Sequence, residues 1–585
     1  MTNIDIPKPI VKAAQAWLSP IFDDQTQKQV TDMLLSPSED LLDSFYKSLE
    51  FGTGGMRGIM GVGTNRINKY TLGKASQGIA NYLNEKKSHA APKVVIAYDN
   101  RNNSKALAQE VAHVFSANEV EVYLFSALRP TPLLSFAVRE LGCDCGIVLT
   151  ASHNPPEYNG YKVYWKDGGQ IVPPIDSNII EAIQKVDYEK INFTAKSKCI
   201  HVLNEELDNR FIQMSFRTLA SKLSASEKSE VKIAFSPLHG TAITLVPQTL
   251  KKAGFNKLFI VEEQAEPDGY FRTVSSPNPE DPAAFEMVLD LARQKNADVA
   301  ITTDPDCDRL GIAIRDSYGD FVLLNGNQTM VLMTAYLLEK WSDENKLNGN
   351  QFIASTIVSS PMLKALADKY AVKYKNTLTG FKWIAKLIED YPELEFICGG
   401  EESYGFMIGD KVRDKDAVTS SLLICEMVAE AKAGGYLLYS KLLELYREFG
   451  LYKDALLSFT KKGEKGVQEI SAIMKHLRLH PFTEVLGEKV VQIDDYQMGT
   501  SLNVLKDEQN KLDFPTSNVL TFFTEHGLRI NVRPSGTEPK IKLYINTRRE
   551  LTEHDEFFAA NEEETLKIDR IKHFLENYLE NINLK

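Results

Sequence analysis

The sequence predicts an α/β protein built from three similar mixed-sheet domains and a smaller α+β C-terminal domain. Three observations lead there: short β-branched runs alternate with helical segments, that order recurs, and the pattern changes after residue 450. From Lys93 an apolar strand (VVIAYD) runs into a polar turn (NRNNS), a helix from about Lys105 to Ala117 and a second strand (EVYLF), which together make a βαβ unit. The order returns in VKIAFS, LVPQTLKKAG and KLFIV, and again in QFIASTIV, PMLKALADKY and VKYKNT. These repeats place α/β domains at residues 1–205, 206–325 and 326–450. Beyond them come a helix (VQEISAIMKHLR), strands (VLTFFTE, LRINVRP, IKLYINT) and an amphipathic terminal helix (EEETLKIDRIKHFLENYL), read as an α+β domain over 451–585.

A chain of 585 residues exceeds what one hydrophobic core supports, so several domains and clefts between them are expected. A hydrophobic content of 43% with 25% charged residues is ordinary for a folded protein. The net charge of −12 argues against nucleic acid and anionic membranes as partners, and an anionic substrate would need a local basic pocket. The segment MTNIDIPKPI has neither a basic flank nor an apolar core, and no apolar run is long enough to span a bilayer, which predicts a cytoplasmic address. The six cysteines, among them Cys143, Cys145, Cys307 and Cys398 in apolar stretches, read as reduced core thiols.

Four loops carry chemistry. TASHNPPEYNGYK leaves the apolar strand CGIVL and sets Ser152 just past a strand's carboxyl end, where ligands gather in open α/β sheets and a hydroxyl can act as a nucleophile. Taken alone, a Ser-x-Asn-Pro string caps turns more often than it carries a nucleophile. TTDPDCDRLG tips that balance. It follows the strand ADVAI with Asp304, Asp306 and Asp308 at alternate positions, so an extended backbone directs three carboxylates to one side. They would repel unless a cation sits among them, and oxygen-only ligation suits magnesium. An EF-hand is excluded, because Arg309 and Arg315 stand where that loop needs Gly and Glu. A phosphate oxygen on Ser152 would fill a vacant metal position, with Arg309 as a charge-assisted donor to the same phosphate.

The third loop, CGGEESYGFMIGDKVRDKDA, offers Glu401 and Ser403 to sugar hydroxyls. The fourth, RPSGTEPK, combines Arg533, Ser535, Thr537 and Lys540 with Gly536, which leaves backbone amides free, in a phosphate cradle that lacks a nucleotide-binding GK[ST] ending. Arg57 in FGTGGMRG and Lys382 in LTGFKW are further cationic candidates, while His153 and His239 receive no catalytic role.

Taken in order, FGTGGMRG, TASHNPPEYNGYK, TTDPDCDR, TGFKW, GGEESYG and RPSGTEPK resemble the α-D-phosphohexomutase superfamily, in particular its phosphoglucomutase and phosphomannomutase members, over residues 51–540. The resemblance implies three topologically similar α/β domains and a fourth closing over a central cleft. It further implies Ser152 as the phosphoserine and Asp304, Asp306 and Asp308 as the magnesium ligands. Lys162 then matches a lysine that assists proton transfer, and Arg309 the arginine beside the metal loop. Arg57 lies near the phosphoserine, Lys382 in the TG-x-K context of the glucomutase branch, Glu401 and Ser403 on the sugar, and Arg533, Ser535, Gly536 and Thr537 on the distal phosphate. The GEES string favours glucose or mannose over amino sugars and demotes pentose.

The expected activity is transfer of a phosphoryl group between the 1 and 6 positions of a hexose phosphate, with hexose 1,6-bisphosphate as intermediate and activator. Small hexose phosphates are the expected partners. A bisphosphate synthase, a phosphopentomutase, a metal-dependent phosphatase and a sugar-phosphate sensor are the alternatives. The phosphatase has no need of a second phosphate cradle, and the sensor no need of a serine facing a metal site.

Overall fold

A computed structural model describes residues 6–52, 54–86, 91–218, 222–461, 463–535, 540–552 and 556–582. The first sheet holds β1 (Gly55–Ile59), β2 (Lys93–Tyr98), β3 (Glu121–Phe125), β4 (Cys145–Leu149), β5 (Tyr158–Trp165) and β6 (Ile200–Leu203), ordered β1-β5-β4-β2-β3-β6. The second holds β7 (Lys232–Ser236), β8 (Lys257–Ile260), β9 (Val299–Thr303), β10 (Leu310–Arg315) and β11 (Phe321–Leu324), ordered β11-β10-β9-β7-β8. The third holds β12 (Gln351–Thr356), β13 (Lys373–Thr377), β14 (Glu395–Glu401) and β15 (Gly405–Ile408), ordered β13-β12-β14-β15.

One four-strand pattern runs through all three sheets. A central strand pairs in parallel with the next strand on one side and the third on the other, and the fourth returns antiparallel beside the third. Their buried strands are nearly continuous apolar runs, as sheets covered on both faces require: β4, β9 and β12 are buried at every position.

The C-terminal sheet is antiparallel. It contains β16 (Leu451–Thr460), β17 (Glu484–Val485), β18 (Glu488–Asp495), β19 (Thr500–Asn503), β20 (Glu508–Lys511), β21 (Leu520–Thr524), β22 (Arg529–Pro534) and β23 (Lys540–Arg549), in the order β16-β23-β22-β21-β18-β19-β20 with β17 against β18. Helices Gly463–Leu479 and Phe557–Asn581 cover it through Ile473, Leu477, Ile571 and Leu575. The sequence predicts a helix at the start of this domain and no element over residues 8–45 or 484–511. Instead β16 opens it as an edge strand of mixed burial, and the helices Lys8–Ala16, Asp24–Leu35 and Glu39–Phe45 pack Trp17, Phe22 and Leu41 against Tyr70.

Cohesion is unequal. A single apolar core runs through the first three sheets, joining Val95, Val148, Phe211, Ile233, Ile312, Ile353 and Leu422. Helix Ala417–Ala433 is buried along most of its length and lies inside that core, its first turn capped by Asp416. The C-terminal sheet has a separate core and docks on the third through Ile357, Val358 and Leu378 against Tyr496, Val519 and Tyr544. All six cysteines are buried and free. Among the described residues no helix is long and apolar enough to cross a membrane.

Between the first two sheets Arg129 grips Asp208 with Nε at 2.9 and 3.0 Å and Nη2 at 2.8 Å, both side chains buried. Asp208→Asn leaves that guanidinium uncompensated and should cost about 3–5 kcal/mol; the urea-unfolding midpoint measures it, and an unshifted midpoint contradicts the assignment.

Candidate active site

In each of the three similar sheets the turn from the third strand of the pattern into the returning fourth lies at a carboxyl edge, where α/β sheets bind ligands. The three turns hold Ser152 between β4 and β5, the acidic loop between β9 and β10, and Glu402 to Tyr404 between β14 and β15. Each turn contains one residue other than glycine in the left-handed region: Ser152 (φ 50°), Cys307 (φ 56°) and Tyr404 (φ 67°). Such conformations persist where the surroundings over-determine them, as at functional sites. Close packing contributes: a Cβ on Gly160 would stand 2.4 Å from the Thr150 carbonyl oxygen, so only glycine lets β5 pass the serine turn.

The turns meet. Ser152 Oγ donates to Asp304 Oδ2 at 2.5 Å, and both side chains are buried. Asp304 Oδ1 accepts the backbone N–H groups of Asp308 and Arg309 at 3.0 Å each, which curls the acidic loop around it. Asp306 accepts from Thr131 Oγ1 at 3.1 Å, and Lys162 on β5 reaches Asp306 at 2.8 Å and Asp308 at 3.4 Å. The third turn joins through a bridge between Arg309 and Gly405 and the Leu310 N–H to Tyr404 O bond of 2.9 Å. Arg57 on β1 donates to Asn154 Oδ1 at 2.9 Å, and Ser403 Oγ donates to Glu401 at 3.1 Å.

Electrostatics dominate this cluster. Asp304, Asp306 and Asp308 offer ligand oxygens within 4.8 Å of one another, all buried. Burial, followed by the charges of Asp306 and Asp308, pushes the Asp304 carboxyl well above the usual carboxylate range. Burial acts the same way on Asp306, but Lys162 overcomes it and holds that carboxyl low. One buried oxygen on each of Asp306 and Asp308 has no hydrogen-bond partner. Orphaned buried carboxylate oxygens, an oxygen-only set and mutual repulsion together fit a hard divalent cation. Asp304, Asp306 and Asp308 are the residues that could hold it.

Several residues here carry no role in the sequence reading. Lys415 lies 3.1 Å from Asp308 and 3.2 Å from Asp414, and its place in the same VRDKDA string as the third loop was its only signal. Glu280 pairs with Arg309 across the second domain, with nothing in SPNPED to mark it. His153 Nδ1 lies 3.2 Å from Ser152 Oγ, and burial, with Arg309 and Arg57, pushes its pKa well down, keeping the ring neutral.

On the C-terminal sheet Arg533 stands directly opposite Lys542 in the β22–β23 register, a like-charge pair that calls for an anion. Burial, then Arg533, depress the Lys542 ammonium, with Lys540 and Arg309 adding and Glu280 opposing. The alternation of Lys540 and Lys542 in KIKLYINT could have revealed this pair. Ser535 donates its N–H to Lys540 O at 2.7 Å, whereas Gly536 and Thr537 lie outside the described residues. Lys382 is set apart. It lines a cavity of about 290 Å³ with Gln170, Ile171 and Ile175, none of them in the serine or acidic turns, and burial lowers its pKa to about 8 against the opposing charge of Asp176.

A serine hydroxyl on a three-carboxylate cradle, with a second cationic patch on a neighbouring sheet, defines a phosphotransfer enzyme. Comparison with known proteins agrees. Residues 48–190, 210–319 and 325–449 match alpha/beta/alpha domains I, II and III of phosphoglucomutase/phosphomannomutase, and 461–562 match its C-terminal domain. A phosphoglucomutase of Staphylococcus epidermidis is 39% identical over 515 residues, covering 87% of this chain and 92% of the relative. One of Staphylococcus aureus is 39% identical over 508 residues, covering 86% and 91%. Two crystal structures share the fold: pp63/parafusin, a phosphoglucomutase of Paramecium (TM-score 0.66, 18% identity, 90% of this chain and 96% of that one), and a phosphoglucomutase/phosphomannomutase family protein of Burkholderia thailandensis (TM-score 0.63, 16% identity, 90% and 96%). The chain belongs to the phosphoglucomutase/phosphomannomutase family and is an enzyme of the phosphohexomutase type.

Glu402, between Glu401 and Ser403, accepts from Thr356 Oγ1 and Ser359 Oγ at 3.2 Å each. Burial, with the charge of Glu401, raises its carboxyl from the ordinary 4.5 to about 7. The unfolded chain therefore ionises first, and Glu402 erodes stability as pH rises from 4.5 to about 7. Glu402→Gln should flatten that part of the stability profile, read from melting temperatures of both proteins across the range; parallel profiles would count against the raised carboxyl.

Proposed function

We propose that the enzyme interconverts glucose 1-phosphate and glucose 6-phosphate, with mannose phosphates as further substrates, through phosphorylated Ser152 and a retained hexose 1,6-bisphosphate. The reading rests on one observation above all: Ser152 Oγ, buried at a strand's carboxyl edge, is bonded at 2.5 Å to the first of three clustered carboxylates. The phosphoglucomutase relatives support glucose phosphate as the substrate. We take residues 1–205, 206–325, 326–450 and 451–585 as the four domains, and the sequence reading adds a cytoplasmic address.

Phosphoryl transfer asks the protein for in-line placement and neutralised oxygens. Asp304, Asp306, Asp308 and an oxygen of phosphorylated Ser152 would hold a magnesium ion, which when bound supplies charge neutralisation at the phosphoryl oxygens. Arg309 and Arg57 donate to the same phosphoryl group. The free hydroxyl of the bound monophosphate attacks phosphorus, the bond to Ser152 Oγ breaks, and its electron pair stays on Oγ. Lys162 is assigned to carry the hydroxyl proton towards Oγ, which closes the balance. Glu401 and Ser403 hold sugar hydroxyls, while Arg533, Ser535, Gly536 and Thr537 grip the non-reacting phosphate; Lys382, in its separate cavity, is given no part in this step. The bisphosphate then turns end for end, and its other phosphoryl returns to Ser152.

Conversion of glucose 1-phosphate with magnesium and a trace of glucose 1,6-bisphosphate, run beside Ser152→Ala and a mannose 1-phosphate arm, tests this reading. Turnover should fall at least about a thousandfold in the variant and vanish on chelation of the metal. Release of free phosphate without isomerisation would identify a phosphatase instead.

A further inference from the structure

The serine turn is shaped by a residue whose guanidinium hydrogen-bonds only to that turn's backbone among the described residues. Arg101, only 3% exposed, directs Nη1 to the carbonyl oxygens of Pro155 and Tyr158 at 2.8 and 2.9 Å. Its Nη2 donates to the Ser152 carbonyl at 2.6 Å and to that of Asn154. Four carbonyl dipoles from one turn thus converge on one cation. Removing it would take a charge-assisted donor from each of the four at once. No other side chain offers this geometry, because the planar guanidinium presents a fixed fork of donors.

The clamp is itself anchored on both sides. Asp99, just beyond β2, accepts the Arg101 N–H at 2.9 Å and Ser104 Oγ at 2.8 Å, and its second oxygen lies 3.5 Å from Arg101 Nε. From the second domain, the Phe271 ring lies 5.1 Å from the guanidinium carbon. Beside it Asn100 donates to Asp268 O at 3.0 Å, and a Cβ on Gly269 would stand 2.5 Å from Asn102 N. The second domain also carries the acidic loop. The fork that shapes the nucleophile's turn is therefore seated on the domain that bears the three carboxylates.

We infer that Arg101 is the positioning residue that registers Ser152 against the acidic loop, fixing the turn's left-handed conformation and the aim of Oγ across a domain boundary. This rests on Ser152 being the phosphorylated nucleophile. Misplacing a reacting group by about 1 Å costs on the order of a hundredfold in rate. The sugar and the non-reacting phosphate are assigned to other residues, so the loss should fall on kcat while KM stays near its wild-type value. A lysine in place of Arg101 keeps the charge and loses the fork; a leucine in place of Phe271 keeps the apolar volume and loses the ring face.

Arg101→Lys and Phe271→Leu are compared with the wild type in two assays: isomerisation of glucose 1-phosphate, and the rate at which glucose 1,6-bisphosphate phosphorylates Ser152, followed by intact-mass spectrometry. The expectation is a fall in kcat of about a hundredfold for Arg101→Lys, a smaller fall for Phe271→Leu, KM little changed, and Ser152 phosphorylation slowed in proportion. Folded variants that keep wild-type kcat, or that lose activity through KM alone, overturn the inference. If Arg101→Lys does not fold, Phe271→Leu decides by the same criteria. A wild type that becomes phosphorylated without isomerising defeats the mutase reading, and variants phosphorylated as fast as that wild type defeat the clamp.

Discussion

Three carboxylates of one short loop, buried within 4.8 Å of one another, are the constraint around which the molecule is arranged. Such a cluster is tenable in a low-dielectric interior only when positive charge is brought to it. Each neighbouring domain supplies some: Lys162 reaches in from the first and Lys415 from the third, while Arg309 comes from the loop itself. The ion pairs that relieve the repulsion also tie the first and third domains to the acidic loop. Domain assembly and preparation for a cation are one electrostatic arrangement.

The repeated topology makes this economical. Because each of the first three sheets turns back after its third strand, each places an irregular turn at a carboxyl edge, and one shared pattern delivers a hydroxyl, a carboxylate set and the Glu401–Ser403 pair to a common region. The fourth sheet differs in kind. Its antiparallel register sets Arg533 opposite Lys542, and the two cations share one face of a hairpin.

Much of this was legible in the residues. Apolar strands leading into SHNP, DPDCD and GEES located three of the turns, since an unbroken apolar run that stops at Gly, Asn or Asp marks a strand's end directly. The recurrence of strand, helix and strand gave the three-domain arrangement. Other features stayed hidden for identifiable reasons. The strand Leu451–Thr460 alternates poorly because only part of one face is covered, and the meander through Thr500–Asn503 and Glu508–Lys511 is largely solvated, so neither carries an apolar signature. Lys415, Glu280 and Arg101 act through partners more than a hundred or only a few dozen positions away, and no local pattern encodes such distances. Lys382 shares the TG-x-K context with the glucomutase branch yet lines a cavity of its own, which shows how a motif can give a residue's type without its surroundings.

The division between an interior shared by the first three domains and a separate one for the fourth bears on how the protein tolerates change. Ser152 and the three carboxylates sit in a body whose apolar interior spans three domains, so a substitution there is felt across domain boundaries. The cationic pair Arg533 and Lys542 rides on a module with its own core, joined to the rest through a modest apolar seat and through Leu451 and Ala560, which enter the shared interior. Such a part can be reshaped without disturbing the acidic loop, whose Cys307 and Leu310 lie in the interior shared by the first three domains.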